Sequence, residues 1–265
     1  GMRSARCDRG VGRSKSLPAP SDTAGMHIRV DEAGRGCLAG PVVASAVFFP
    51  LGFDFATLLP GLTDSKKLSD KQRNALVPLI TKQATVYGIG IAWQDEIDRV
   101  NILNATFRAM SRAVLALSAK LQDAYGPEAY PVLPQLVVDG NHAIPLAEWQ
   151  ACIRGVPASA LAWEQYLPLP ATRLPGRIPP LPDQNAVVGA DILLPSVSAA
   201  SVLAKTVRDG LLIRLDEFDP NYGFARHKGY GTRDHLAILA RKGPCPLHRH
   251  TFRHVRTEQK QYSLF

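Results

Sequence analysis

Val30-Asp31-Glu32-Ala33-Gly34-Arg35-Gly36 places two adjacent carboxylates at the end of an apolar run and follows them at once with a glycine-flanked arginine. Side chains alternate along a strand, so neighbouring acids in an extended segment aim at opposite faces of a sheet. One of the two must then lie against the interior, which is expensive for a carboxylate unless a positive charge compensates it. A metal ion is the natural compensator. The alternative is a solvated acidic turn, the commoner setting of an Asp-Glu pair, and the rest of the chain decides between the two.

Outward from this stretch, two β-rich segments, His27 to Glu32 and Pro41 to Phe49, are joined by a Gly-rich connection too short for a crossover, which predicts an antiparallel hairpin. Gly34, Gly36 and Gly40 do not fit Gly-x-Gly-x-x-Gly and precede a strand, so they are not a dinucleotide fingerprint; they let backbone approach a ligand closely. Thr63-Asp64-Ser65-Lys66-Lys67-Leu68 leads into a Ser-x-x-Gln capping box at Ser69 to Gln72 that opens a helix through Lys82. Lys66 and Lys67 precede the positive end of that helix, where an anion is favoured, so a bound phosphate would account for them; two solvated lysines are the alternative.

Thr85 to Trp93 reads as a third strand and Gln94 to Lys120 as one helix, with an apolar stripe through Ile102, Leu103, Phe107, Met110 and Val114. After a turn-rich linker from Gly126 to Pro134, a short strand through Val138 ends at Asp139, where open α/β sheets place their ligands. Residues 141–185 lose their periodicity and fill with proline, including Pro168, Pro170, Pro175, Pro179, Pro180 and Pro182. They read as an excursion outside the core. Ala186 to Ala190 resumes strand character and ends on Asp191, and a helix from Ser196 to Phe218 carries small residues suited to close packing on a sheet. All four acids, Asp31, Glu32, Asp139 and Asp191, are thus expected at strand ends.

Tyr222 to Gly231 interleaves aromatics, bases and glycines, a mix that suits a nucleic-acid backbone, with a structural turn as the alternative. A short helix follows from Thr232 to Lys242. His248, His250 and His254 have no paired cysteine nearby and are assigned to the surface or a substrate edge.

With 265 residues, 46% of them hydrophobic, the chain can bury a full core, and one domain with appendages is expected. The net charge of +8 is concentrated at the ends: residues 1–25 carry five Lys/Arg against two Asp, and residues 241–265 carry six against Glu258, leaving 20 of each sign between them. Basic ends on a balanced body suit contact with a polyanion, or simply solubility. Four scattered cysteines without a Cys-x-x-Cys pair exclude a zinc ribbon and indicate a reducing compartment. With no signal-like or membrane-spanning run, a cytoplasmic protein is expected, Gly1 being set aside as a cloning remnant.

Taken together, five ordered motifs resemble ribonuclease HII from about Val30 to Val255: Asp-Glu-Ala-Gly-Arg-Gly at 31–36, Asp-Ser-Lys-Lys-Leu at 64–68, Val-Asp-Gly at 138–140, Ser-Ala-Ala-Ser-Val-Leu-Ala-Lys at 198–205 and His-Lys-Gly-Tyr at 227–230. The resemblance implies an α/β, ribonuclease H-like mixed sheet, with an antiparallel three-strand meander extended by parallel strands, flanked by helices and closed by a C-terminal helical region. It divides the chain into a basic extension at 1–25, a catalytic domain at 26–255 containing the 141–185 excursion, and a tail at 256–265.

It further implies a catalytic, metal-binding set of Asp31, Glu32, Asp139 and Asp191, holding Mg²⁺ or Mn²⁺ as two ions about 4 Å apart. The reaction implied is endonucleolytic cleavage of the RNA strand of RNA–DNA hybrids, and cleavage 5′ of single ribonucleotides in duplex DNA, leaving 5′-phosphate and 3′-hydroxyl ends. Gly34, Arg35, Gly36 and Tyr230 map onto recognition of the ribonucleotide, and Lys66, Lys67, Lys205 and Lys228 onto phosphate contacts, with Lys205 alternatively an ion-pair partner of the acidic site. Asp209 is a possible supporting acid. Departures from the family pattern are Cys37, where proline is usual, Ala190, where glycine is common, and the long excursion, which bears on substrate range. With about 25 residues before the first strand, the chain does not match the N-terminal domain of ribonuclease HIII.

The tail, with Gln261, Leu264 and Phe265, resembles peptides that dock bacterial repair proteins on the sliding clamp. An inert tail is the alternative. A monomer is expected. A second class of function remains open, a nucleic-acid-binding module without catalysis; retention of all four acids favours the enzyme. A broad hybrid nuclease of the other ribonuclease H type is disfavoured by the Gly-Arg-Gly and Tyr230 pairing.

Overall fold

The computed structural model describes residues 26–128, 130–154 and 174–255. The stretch 1–25, Pro168, Pro170 and the tail residues Gln261, Leu264 and Phe265 lie outside these. Strands β1 (His27–Ala33), β2 (Val42–Phe48) and β3 (Val86–Ala92) form the antiparallel meander, and β4 (Gln135–Asp139) and β5 (Gln184–Val187) extend it in parallel, in the order β3-β2-β1-β4-β5. The strand Val-Val-Ala-Ser-Ala-Val-Phe of β2 is buried along its whole length because both faces of the sheet are covered.

Helix α1 (Phe55–Leu58) is a single turn on the way to α2 (Asp70–Gln83), whose Ser69–Gln72 capping box forms as the sequence predicts. The long helical reading from Gln94 divides into α3 (Gln94–Val100) and α4 (Ile102–Tyr125). The break is at Asn101, whose φ of 70° leaves the helical region while its side chain accepts from the Asn104 amide and caps α4. Helix α4 packs on the face presented by Ile28, Val30, Ala44 and Ala46. It approaches β3 so closely that a Cβ on Gly88 or Gly90 would sit 2.0 Å from the Ala113 or Ala109 carbonyl oxygen.

Within the 141–185 stretch the core reaches further than periodicity suggests. Helix α5 (Leu146–Ile153) buries Trp149 and Cys152 against α4, and Leu174, Ile178 and Leu181 pack on the same cluster. A fully buried large apolar side chain contributes roughly 1.5–3 kcal/mol, ample reason for so short an amphipathic turn to fold back. Residues 155–173 lie outside the described set.

A one-turn helix α6 (Ala190–Leu193) leads into α7 (Pro195–Phe218), which crosses the opposite face of the sheet, over β1 and β2. Its small residues permit the Ser45 hydroxyl of β2 to donate to the Ala200 carbonyl at 2.7 Å. Helices α8 (Phe224–His227) and α9 (Arg233–Lys242) complete the C-terminal region.

Candidate metal centre and nucleic-acid cleft

Strand alternation puts Asp31 on the α7 side of β1, where it is only 4% exposed. Asp139 ends the neighbouring strand β4. Asp191 arrives differently from the expectation: β5 ends at Val187, Gly189 adopts φ 69°, and the acid lies in the first turn of α6, 3% exposed. That turn also aims the Asp191 amide at Asp139 Oδ1, at 3.4 Å. One carboxylate oxygen each of Asp31, Asp139 and Asp191 falls within 4.8 Å of the others. The fourth predicted acid, Glu32, lines the same cleft of about 220 Å³. Its carboxylate pairs with Arg35 at 3.4 Å and does not join the tight group of three.

Crowding of this kind resists ionisation. Burial, then the charges of Glu32 and Asp139, hold the Asp31 carboxyl well above its usual range, and a Ser201 hydrogen bond offsets this only in part. Burial also raises Glu32, against the pull of Arg35, and raises Asp139, with Asp191 adding to the effect. Lys66 Nζ lies 3.4 Å from Asp191 Oδ2 on a side chain 76% exposed. Burial works to lower its ammonium pKa, but the charges of Asp191, Asp31 and Asp64 outweigh it and raise the value. A set of hard oxygen donors that burial and mutual repulsion leave short of positive charge fits a hard divalent cation.

The remaining predicted residues divide. Tyr230, 38% exposed, rims the cleft and receives Lys205 Nζ at 3.3 Å from its hydroxyl. Lys205 pairs with Asp209 at 3.0 Å, so its ion-pair partner is Asp209 and not the carboxylate cluster. Lys67 is exposed, and Lys228 folds back onto the Ala225 carbonyl of its own loop. Gly34 and Arg35 line the cleft. At Gly36 an added Cβ would meet nothing within 4 Å, so the folded chain itself does not demand glycine there. Gly34 is different: its φ is +96° and a Cβ would fall 1.9 Å from Arg208 Nε.

Two expectations for the C-terminal region are corrected. Tyr222 and Phe224 stack on each other inside a core cluster, leaving Tyr230 as the aromatic of that loop turned outward. His248 is fully buried, with its Nε2 at 3.0 Å from His235 Nε2 and its ring against Tyr222 and Phe224, so it has no surface or substrate-edge role. Burial, with His235 adding, pushes its imidazole down to about 4.

Four supporting residues escaped the sequence reading. Ser65 and Ser201, from two separate motifs, share a 2.7 Å hydrogen bond behind Asp31. Arg208 donates to the carbonyls of Pro41, Lys228 and Ala39, joining the Tyr230 loop to the segment before β2. Arg249 donates to the carbonyls of Gly34, Arg35 and Gly40. Helical periodicity could have flagged Arg208, which shares a stripe with Ala204, Leu211 and Leu215; nothing local marks Arg249.

An antiparallel meander extended by parallel strands, with clustered carboxylates at the ends of its first and fourth strands and on the turn after its fifth, defines a protein of the ribonuclease H-like class. The sequence matches the model of ribonuclease HII over residues 28–126 and 182–255. It is 42% identical over 244 residues to a ribonuclease HII of Nitratidesulfovibrio vulgaris, covering 92% of this chain and 93% of that one. The chain belongs to the ribonuclease HII family, hydrolytic nucleases of the ribonuclease H class. Among solved structures, the ribonuclease H2 of Pyrococcus horikoshii shares its fold at TM-score 0.58 and 22% identity, over 88% of this chain and 96% of that one. A structure of the PCNA:RNase HII complex from Archaeoglobus fulgidus matches at TM-score 0.54 and 24% identity, over 89% and 98%.

Proposed function

We propose that residues 26–255 form a metal-dependent endonuclease that cuts the RNA strand of RNA–DNA hybrids and cuts 5′ of a single ribonucleotide in duplex DNA, leaving 5′-phosphate and 3′-hydroxyl ends. The observation that carries this reading is the convergence of Asp31, Asp139 and Asp191, from two strands and a helical turn, to within 4.8 Å of one another beside a cleft that Asp31, Glu32 and Asp139 line. Bound Mg²⁺ or Mn²⁺, as a pair, supplies the charge that lowers the pKa of an attacking water and stabilises a leaving oxygen. Asp31, Asp139 and Asp191 would hold the ions, with Glu32 completing the set after release from Arg35.

The other residues bind and orient. Gly36 leaves room for a nucleic-acid backbone, Gly34 and Arg35 border the 2′-hydroxyl, and Tyr230 offers its ring to the sugar. The 2′-hydroxyl is the group that separates RNA from DNA at a given position. Lys66 is poised to pass from Asp191 to a phosphate, and Lys205 reaches the cleft beside Tyr230, whereas Lys67 and Lys228 have only their charge to support them.

The partner of the tail is proposed to be a sliding clamp, engaged through Gln261, Leu264 and Phe265. The support is the tail's resemblance to clamp-docking peptides and, by analogy, the clamp complex of the archaeal relative. A cytoplasmic setting is part of this proposal; among the described residues no helix is long and apolar enough to cross a membrane.

The test is cleavage of a labelled duplex carrying one ribonucleotide, with Mg²⁺, Mn²⁺ or chelator, by the native chain and by Asp139→Asn. A metal-dependent cut 5′ of the ribonucleotide, lost in the variant, is expected. Binding without cutting in either metal would favour a module that has given up catalysis.

A further inference from the structure

Arg249 stands in an unusual position for a cation. Its side chain is fully buried, and its three hydrogen bonds all end on main-chain carbonyls: Nη2 to Gly34 at 2.8 Å, Nη1 to Arg35 at 2.9 Å and Nε to Gly40 at 3.0 Å. A second buried guanidinium, Arg208, packs against the same Gly34. Burying a cation against neutral acceptors beside a like charge is costly. The cost shows as an Arg249 guanidinium pushed down to about 9 by burial and then by Arg208.

The carbonyls it holds belong to Gly34 and Arg35, two of the three residues in Gly-Arg-Gly. Across a trans peptide the N–H points opposite to the C=O of the same unit, and the described chain has no cis bonds. With both carbonyls drawn inward, the N–H groups of Arg35 and Gly36 face outward. Neither has a main-chain acceptor among the described residues, and both residues are exposed. Successive outward amides form a concave donor site for an anion or hydroxyl oxygen. A cation bound to the carbonyl end of each peptide also polarises its N–H end and strengthens it as a donor.

We infer that Arg249 is a positioning residue for substrate selection: it fixes and polarises the two peptide units so that the amides of Arg35 and Gly36 act as a paired donor for the 2′-hydroxyl and adjoining phosphate of a ribonucleotide. The inference rests on the proposed function, since that reading supplies the ribonucleotide. It assigns to a residue more than 200 positions away the part of specificity that the glycine-flanked loop displays. Arg249→Lys keeps the charge but loses the planar fork that reaches two carbonyls at once.

The experiment uses the full chain carrying Asp139→Asn, so that nothing is cut, and measures by fluorescence anisotropy its affinity for two duplexes that differ only in one 2′-hydroxyl. The parent is expected to prefer the ribonucleotide duplex. Adding Arg249→Lys should leave affinity for the all-DNA duplex within about twofold and remove at least about tenfold of preference, the loss expected when a donor pair is misaligned. In the otherwise native chain, the same substitution should lower kcat/KM on the single-ribonucleotide duplex while Mn²⁺ binding, read by calorimetry, stays unchanged. A merely structural role would weaken both duplexes and metal binding together, and that result, or an intact preference, overturns the inference.

If Arg249→Lys does not fold, the amide ¹⁵N shifts of Arg35 and Gly36 in the Asp139→Asn chain decide. A larger change with the ribonucleotide duplex supports the inference, and equal changes with both duplexes overturn it. Absence of any preference in the parent would instead remove the functional reading together with the inference.

Discussion

Glu96 and Asp31 are both nearly inaccessible carboxylates, 1% and 4% exposed, but their surroundings differ. Glu96 is held by both terminal nitrogens of Arg112, at 2.7 and 2.9 Å, and by Arg108 at 3.2 Å, while Arg108 turns its Nε to Glu148 at 2.6 Å. The arginine fork matches the carboxylate geometrically, and this cluster ties α3, α4 and α5 together. Around Asp31 the sign is reversed: Asp139 and Asp191 crowd it, and the nearby cation is an exposed lysine that reaches only Asp191. Buried charge that is matched holds the fold. Buried charge left in excess makes a site that is complete only when something positive enters it.

This contrast can be broken most directly by removing one acid from each cluster. Asp191→Asn is expected to reduce cleavage by on the order of a thousandfold while leaving thermal stability unchanged or higher. Glu96→Ala should do the opposite, costing about 3–5 kcal/mol in urea unfolding by stranding Arg112, with kcat altered little at low temperature. An unstable Asp191 variant, or a stable and inactive Glu96 variant, would erase the distinction.

Divalent cation sharpens it next. Mn²⁺ at a hundredfold excess over its dissociation constant should raise stability by about 2.7 kcal/mol in the native chain. Asp31→Asn should lose most of this gain, as read by the melting temperature, and Glu96→Gln should retain it. Equal gains in the two variants would place the bound ion elsewhere.

A smaller effect concerns pH in the presence of chelator. Asp31, Glu32 and Asp139 have folded-state pKa values raised above the unfolded ones, so the native state keeps protons that the unfolded chain has released. Their contribution is full below about pH 4, the ordinary carboxylate range, and is lost as pH rises through the raised values. His227, His235 and His248 titrate in the opposite sense, their lowered values weakening the fold as pH falls below about 6.5. The melting-temperature difference between native protein and Asp31→Asn isolates the acidic part. That difference should move in favour of the variant between pH 5 and 8, about a usual assay range. A flat difference would contradict the crowding.

The smallest expected effect is that of Ser201→Ala. Loss of the hydroxyl that favours ionised Asp31 should lower kcat/KM about fivefold and move the acid limb of the rate profile upward. An unshifted limb would separate Ser201 from Asp31.

Much of the architecture was legible because it is written locally. Alternation marked β1, the short connection dictated its antiparallel pairing with β2, and acids after apolar runs marked Asp31 and Asp139. Asp191 was found by type but misplaced by geometry, since a glycine and a helical turn can present a carboxylate as well as a strand end can. The division at Asn101 was hidden because helical periodicity on either side is continuous enough to mask a single residue of positive φ. His248 and Arg249 were illegible for a stronger reason. Both look like surface polar residues in sequence, and only tertiary packing buries them: His248 against Tyr222, Phe224 and His235, and Arg249 against the carbonyls of residues 34–40.

The return of the chain to residues 34–40 has a consequence for a growing polypeptide. All four acids have been added once Asp191 is made, and the helix that backs Asp31 soon follows. The anchor of Gly34 and Arg35 comes only with Arg249, the Ala39–His248 bridge and the turns beyond it. A nascent chain, or a fragment stopped before that point, would possess the charged centre without its fixed border. If Arg249 sets selectivity as inferred, the order of synthesis defers discrimination until the segment around Arg249 is made, and a molecule stopped before it would be the least selective form of this protein.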